Sequence, residues 1–190
     1  SNLATQPVVT VQDAGGNTVT GTAQNVTLAI QNNAGPGGVL SGTTTVAVNT
    51  STGQATFSGL SIDKAGTGYT LTATGSTVST TPGVVVSGAF NITVGAAAKL
   101  AFTTQPGNGT GGSNLATQPV VTVQDAGGNT VTTATNSITL AIGTNPSGGT
   151  LTVTTNPLAA TAGVATFAAV KIDKAGTGYT LTASSGVLTA

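Results

Sequence analysis

The sequence contains no Cys, no His, no Met and no Trp in its 190 residues. Without imidazole or thiolate side chains, a zinc, haem or iron–sulfur site of the usual kinds has no ligands to hold its metal. Ser–His and Cys–His nucleophilic catalysis is excluded for the same reason, because both need an imidazole as the base. We therefore expect a chain that is not an enzyme and that carries no cofactor.

Charge is also scarce. The chain has four Lys and four Asp, so that charged residues make up 4% and the formal net charge is zero, whereas about 25% of an ordinary soluble domain is charged. Four cations cannot neutralise a row of phosphates, which argues against nucleic-acid binding. A zero net charge also removes the repulsion that keeps neighbouring molecules apart, and this favours association with other copies.

Long apolar runs are missing as well. The longest uninterrupted stretches are a few residues, such as Val84–Val86 and Ala96–Ala98, and a membrane-spanning helix needs about 20. No signal peptide is visible, since Ser1–Pro7 has neither a basic region nor an apolar core. We therefore expect a mature or excised chain that does not insert into a membrane.

What the sequence does contain is an internal repeat. Ser1–Thr20 recurs unchanged as Ser113–Thr132, and Ile62–Ala73 recurs unchanged as Ile172–Ala183. Self-similarity of this kind is the sequence signature of a repeat architecture. We expect the chain to be part of a longer array that arose by recent duplication.

The residues within each repeat predict β-strands. Apolar and polar residues alternate, with turns rich in Gly, Asn and Asp between the alternating segments, a pattern typical of a β-sandwich. The predicted strands are Val9–Val11, Val26–Ile30, Thr45–Val48, Ala55–Phe57, Tyr69–Ala73, Phe90–Val94 and Lys99–Thr103. The predicted inward residues are Val9, Val11, Val26, Leu28, Ile30, Phe57, Tyr69, Leu71, Phe90 and Ile92. Gly59 is the predicted bulge at which the apolar phase slips, and Ala65–Gly68 is a predicted turn.

Three motifs occur in both repeats. They are V-x-D-x-x-G-N at Val11–Asn17 and Val123–Asn129, G-x-A-x-F at Gly53–Phe57 and Gly163–Phe167, and a variant of A-G-x-Y-x-L-x-A at Ala65–Ala73 and Ala175–Ala183. Together they resemble the bacterial immunoglobulin-like repeat of the invasin/intimin type. The resemblance implies an all-β fold of tandem immunoglobulin-like β-sandwiches with about seven strands each. It also implies a large secreted or surface-anchored bacterial protein, in which such repeats act as stalks, spacers or adhesive modules.

The same resemblance suggests a division into domains. Residues 1–94 would form the first immunoglobulin-like repeat, residues 95–112 a linker with the A strand of the second repeat, and residues 113–190 the remainder of the second. The first repeat would lack its A strand and the second its last strand. Because an unpaired edge is a template for another strand, we expect flanking sequence or a neighbouring subunit to cover these edges, by strand complementation or in a homopolymer.

Two turns contain possible oxygen ligands for a metal. Asp13 with Asn17, and Asp125 with Asn129, each follow a predicted strand. One interpretation is a calcium site, since carboxylate and amide oxygens are calcium ligands. The other is that the Asp side chain bonds the backbone of its own turn. We favour the second interpretation and expect no bound metal.

Charged residues also mark the predicted junction between repeats. Where one end of a repeat meets the opposite end of the next, Asp63, Lys64 and Lys99 are expected to approach Asp125. Exposed ion pairs contribute about 0–1 kcal/mol. We therefore expect them to set the inter-domain angle rather than to stabilise the fold.

The two tyrosines, Tyr69 and Tyr179, occupy identical sequence contexts. They are candidates for stacking on a carbohydrate, or for a tyrosine corner in which the hydroxyl bonds upstream backbone. Their position in A-G-T-G-Y favours the corner.

The sequence as a whole predicts a non-enzymatic structural repeat of an extracellular or cell-surface bacterial protein. It would serve in the stalk of an adhesin or the body of a fibre, with neighbouring repeats or other copies as partners. The alternative is an adhesive module whose loops contact a glycan or a host protein. Exposed aromatic residues in the variable segments would favour that alternative, but neither residues 31–51 nor residues 143–161 contain one.

Overall fold

A computed structural model describes residues 2–76, 84–186 and 188–189 of the chain. Those parts of the predicted repeats that fall at 1, 77–83, 187 and 190 lie outside the described residues. Over the described ranges the protein is all-β and contains no helix, and its strands form antiparallel sheets. The chain divides into two compact units, Ser1–Thr93 (unit 1) and Val94–Ala190 (unit 2).

Unit 1 contains nine short strands among its described residues. They are β1 (Val8–Thr10), β2 (Asn25–Asn32), β3 (Leu40–Ser41), β4 (Thr45–Ala47), β5 (Gln54–Thr56), β6 (Ser61–Ile62), β7 (Gly66–Gly75), β8 (Val85–Val86) and β9 (Phe90–Ile92). The largest sheet has the order β4-β2-β7-β8, and β9 pairs with β7 as well. β1 pairs with β5, and β3 pairs with β6, in two small sheets.

The alternation in β2 has the structural consequence expected of a strand with one buried face. Val26 and Leu28 are buried, whereas Thr27 and Ala29 are exposed. On the exposed face, the hydroxyl oxygen of Thr27 lies 2.9 Å from that of Thr45 on the neighbouring β4. The hydrophobic pattern therefore fixes the register of this strand.

The core of unit 1 is formed by side chains from all three sheets. Of the predicted inward residues, five are buried, namely Val26, Leu28, Phe57, Tyr69 and Leu71, and five pack against them as partly buried side chains, namely Val9, Val11, Ile30, Phe90 and Ile92. The predicted inward set is confirmed. Leu60 and Ile62 join the same cluster on the far side of Gly59, as the slip in apolar phase requires.

The turn predicted at Ala65–Gly68 is wrong in unit 1. Gly66, Thr67 and Gly68 belong to β7. Gly66 and Thr67 pair with β9, and the register shifts between Thr67 and Tyr69. Gly68 has a φ of 93°, a conformation that glycine adopts at little cost. The extra residues before Tyr69 therefore form an irregularity within a long strand, not a longer turn.

Unit 2 also contains nine strands among its described residues. They are β10 (Lys99–Thr104), β11 (Val120–Gln124), β12 (Ser137–Ile142), β13 (Leu151–Thr152), β14 (Leu158–Ala159), β15 (Val164–Thr166), β16 (Lys171–Ile172), β17 (Leu181–Ser185) and β18 (Leu188–Thr189). They form sheets of order β10-β11-β15, β14-β12-β17-β18 and β13-β16. A separate buried cluster fills this unit, with Val121, Val123, Ile138, Leu140 and Phe167 among its members.

The three residues of β1 recur unchanged at the start of β11, but the two strands have different surroundings. β11 lies between β10 and β15, and Val121, Thr122 and Val123 are all buried. β1 pairs with β5 alone, and Val8 is 53% exposed. The predicted strand Lys99–Thr103 is confirmed as β10, and its position makes β11 an inner strand.

The phase slip before β6 has a conformational basis that differs between the units. Gly59 has a φ of 69°, and at the equivalent place in unit 2 Ala169 has a φ of 53°. A side chain at positive φ is strained, so the chain geometry here is imposed by the packing around it. Over the described residues each unit has nine short strands, whereas about seven were expected.

Candidate functional site

The turn that begins at Asp13 is built around its carboxylate. Oδ1 accepts hydrogen bonds from the backbone N–H of Gly15 at 2.9 Å and of Asn17 at 2.8 Å. The Asn17 side-chain amide donates to both carboxylate oxygens, at 3.2 and 3.0 Å. This side-chain bond, together with the backbone bonds, holds the pKa of Asp13 below its ordinary value because it stabilises the charged form.

The equivalent turn in unit 2 has the same internal bonds and one more. The Asn129 backbone and side chain donate to Asp125 at 2.9–3.1 Å, and the backbone N–H of Gly95 donates to Oδ2 at 2.8 Å. Asp125 is only 5% exposed. Burial raises the pKa of its carboxyl, but the hydrogen bonds from Gly95, Asn129 and Gly127 outweigh it and leave the pKa below the ordinary value.

Both turns use their carboxylates to order the backbone. A calcium ion at either one would have to displace the N–H donors that now face the oxygens, because these groups are directed at the same lone pairs. No group of three or more acidic residues comes together in the described part of the chain. Each Asp side chain bonds the backbone of its own turn, as in the favoured interpretation, and a calcium site at Asp13 with Asn17, or at Asp125 with Asn129, stays the untested alternative.

The residues predicted for the inter-domain junction each have a place within their own unit. The Asp63 carboxylate accepts the backbone N–H of Val39 at 2.7 Å, and the Lys64 carbonyl accepts a bond from the Tyr69 hydroxyl at 2.9 Å. Lys99 is exposed at the start of β10, opposite Gln124. The part that these residues play in an inter-domain angle stays a prediction.

Tyr69 is fully buried, and its hydroxyl has two backbone partners. It donates to the Lys64 carbonyl at 2.9 Å and accepts from the Gly35 N–H at 3.0 Å. Its ring stacks on Phe90, with the centroids 6.1 Å apart and the planes at 25°. The upstream backbone bond is the one that a tyrosine corner requires, and a ring enclosed in this way has no face free to stack on a carbohydrate.

Tyr179 differs, although the twelve-residue segment that contains it is identical to the one that contains Tyr69. Its ring is partly exposed, while its hydroxyl oxygen is buried and has no hydrogen-bond partner among the described residues. The loop that supplies Gly35 in unit 1 is shorter in unit 2. In unit 1 the Asn33 side-chain amide donates to the carbonyl of Gly38, five residues further on. In unit 2 the Asn145 side-chain amide donates to the carbonyl of Gly149, only four residues further on. Within the described ranges, the variable segment therefore provides a donor to the tyrosine hydroxyl in unit 1 and none in unit 2.

A cavity of about 380 Å³ lies beside Tyr179 in unit 2. Its lining includes residues 174–179 and residues 106–111. Leu115, Ile172 and Leu181 contribute apolar side chains to the lining. The sequence does not predict this cavity. Gly176–Tyr179, which border it, are identical to Gly66–Tyr69 of unit 1, and that segment pairs with β9.

Among the described residues, no helix has the length and apolar character needed to cross a membrane. A scan against protein-family models found no match to the chain. Searches of curated proteins and of solved structures likewise found none with significant similarity. The resemblance to immunoglobulin-like repeats therefore rests on the sequence motifs quoted above.

Proposed function

We propose that the chain is a pair of tandem immunoglobulin-like repeats with a structural role in an extracellular bacterial surface protein. The observation that carries the proposal is that repeated sequences have the same strand partners in both units. β1 pairs with β5 as β11 pairs with β15, β2 pairs with β7 as β12 pairs with β17, and β3 pairs with β6 as β13 pairs with β16. A module that recurs with its pairing intact is suited to an array of similar links.

Each unit also has its own hydrophobic cluster. Among the described residues, the cluster of unit 1 contains side chains from Leu3 to Ile92, and that of unit 2 contains side chains from Leu100 to Leu188. Because burial of apolar surface is the main stabilising term in folding, a unit with its own core is able to fold as a separate body. Independent folding is what a stalk or spacer built from many links requires.

The chemistry of the charged groups supports a structural role over an enzymatic one. All four carboxylates accept backbone N–H groups, since Asp63 and Asp173 bond Val39 and Thr150 in the way that Asp13 and Asp125 bond their turns. A carboxylate committed to backbone donors is poorly placed to serve as a general base. With no His or Cys in the sequence, we propose that the chain is not an enzyme.

The surface of unit 1 favours assembly over an isolated spacer. Val84, Val85 and Val86 are 49%, 65% and 45% exposed, and two of them form β8 beside β7. Apolar side chains exposed in a row form a surface on which another copy can pack, and the sequence has no charged residue between Lys64 and Lys99 to repel it. We therefore propose a fibre-forming module, with copies of the chain as partners, as the preferred form of the structural role.

Electron microscopy of native material tests this proposal. Antibodies raised against the 190-residue chain would be applied with gold label to intact cells of the source organism. We expect label along extended structures at the cell surface, as a continuous fibre for an assembling module or as separate stalks for a spacer. Label confined to the cell interior would contradict the proposal.

A further inference from the structure

The two copies of one sequence adopt different structures. Ile62–Ala73 and Ile172–Ala183 are identical, yet β7 begins at Gly66, whereas β17 begins at Leu181 and the residues from Ala175 to Thr180 belong to no strand over the described ranges. Local sequence cannot cause this difference. The cause must lie in what each segment contacts.

In unit 1 the segment is paired with β9. Gly66 lies opposite Ile92, Thr67 opposite Asn91, and Tyr69 opposite Phe90. The Asn91 side-chain oxygen accepts the Gly68 N–H at 3.0 Å. β9 therefore supplies ladder bonds, a side-chain acceptor for the irregular residue, and an aromatic ring against the tyrosine.

In unit 2 the cavity described above lies along the same segment. Gly176, Thr177, Gly178 and Tyr179, the counterparts of Gly66 to Tyr69, all border it. The lining has both polar and apolar surface, and Leu181 and Ile172 are among its apolar residues. This is the combination that a β-strand requires, because its backbone needs ladder partners and its alternate side chains need pockets.

We propose that the cavity of unit 2 is an acceptor groove for an extended peptide strand with the pattern of β9, an aromatic residue followed by Asn and an aliphatic residue. On binding, Gly176–Tyr179 become a strand in line with β17. The aromatic ring packs on Tyr179, and the Asn side chain accepts the Gly178 N–H. This site goes beyond the proposed structural role and does not depend on it.

The occupant is a strand that is not already paired in a folded unit. If β9 of a second copy entered the groove, it would leave the identical segment of its own unit 1 unpaired. One groove would be filled and another emptied, with no net gain in ladder bonds or stacking. A free segment brings the gain without that loss, and this is why the proposal excludes exchange of β9 between copies.

The test is a titration of the isotope-labelled 190-residue chain with a synthetic peptide of the sequence Ser87–Gly95, followed by NMR. We expect saturable shifts of the Gly176–Leu181 amides and slowed hydrogen exchange there. Because a net hydrogen bond contributes about 1 kcal/mol, the peptide with Asn91→Ala should bind about fivefold more weakly. The peptide with Phe90→Ala should lose at least about tenfold, since it lacks the ring as well as its buried area.

A scrambled peptide of the same composition is the matched control. Binding of the scrambled peptide with equal affinity, or the lack of any saturable shift at millimolar peptide, would overturn the proposal. Shifts confined to Gly66–Tyr69 of unit 1 would also overturn it, because they would mean that the peptide replaces β9. A dimer of the chain alone, formed by exchange of β9, would contradict the choice of occupant.

Discussion

The two tyrosine hydroxyls provide a matched pair of perturbations. Tyr69→Phe removes the donor to the Lys64 carbonyl and the acceptor for the Gly35 N–H, and leaves both backbone groups without that partner inside the protein. A net hydrogen bond contributes about 1 kcal/mol, and a stranded buried group costs about 1–3 kcal/mol. We expect Tyr69→Phe to lower the stability of unit 1 by about 2 kcal/mol, or roughly 10 °C in Tm for a unit of this size.

Tyr179→Phe is expected to have the opposite sign. The hydroxyl that it removes is buried and lacks a partner among the described residues, so its desolvation in the folded state is not offset by a bond. Removal should leave the stability of unit 2 unchanged or raise it by up to about 1 kcal/mol. The identical sequence around the two residues makes each variant the control for the other.

Intrinsic fluorescence separates the two units in this assay. The chain contains no Trp and two Tyr, one in each unit, so that a variant with a single Tyr reports on the unit that retains it. Urea unfolding followed by circular dichroism detects both units, and the fluorescence of each variant identifies the transition of the unaltered one. Equal losses of stability in the two variants, or no loss in Tyr69→Phe, would refute the hydrogen-bond argument.

Three further predictions concern the turns and the β9 partner. Position 169 and position 59 both have positive φ, which glycine adopts at lower cost than alanine. Ala169→Gly should therefore stabilise unit 2 by about 0.5–1 kcal/mol, and Gly59→Ala should destabilise unit 1 by about 1 kcal/mol. The shift in the urea midpoint of each variant measures the effect. The pKa of Asp125 is lower in the folded state than in the unfolded state. Its contribution to the stability of unit 2 is therefore present above the unfolded pKa of about 3.9 and is lost as the pH falls through the folded pKa. Asp125→Asn should flatten the dependence of stability on pH in acid, and an unchanged pH profile would contradict this. Phe90→Ala should cost unit 1 about 3 kcal/mol and speed amide exchange at Gly66, measured by NMR, while exchange in unit 2 stays the same.

Much of the fold follows from the alternation of apolar residues. The inward residues of β2, such as Val26 and Leu28, and the phase slip at Gly59 were predictable because one buried face requires a period of two. The strand from Gly66 to Gly68 was not, since Gly-Thr-Gly is typical of a turn. Its structure depends on β9, which lies far along the chain and leaves no mark on the local sequence.

The candidate site was predictable in its residues but not in its environment. The sequence identifies Asp125 and Tyr179 as counterparts of Asp13 and Tyr69, and predicts equal roles for each pair. The structure buries Asp125 under a bond from Gly95, and a shorter variable loop leaves the Tyr179 hydroxyl without its counterpart of the Gly35 bond. These differences arise from segments outside the repeated sequences, which no comparison of identical residues detects.

We expect unit 1 and unit 2 to fold as two independent links. Single-molecule force spectroscopy of the chain, held by its two ends, tests this most directly. Each unit has fewer than 100 residues, and an extended chain spans about 3.5 Å per residue, so we predict two separate unfolding events that each release about 300 Å. A single event that releases the whole length at once, or extension without any resisting event, would show that the two units do not fold independently.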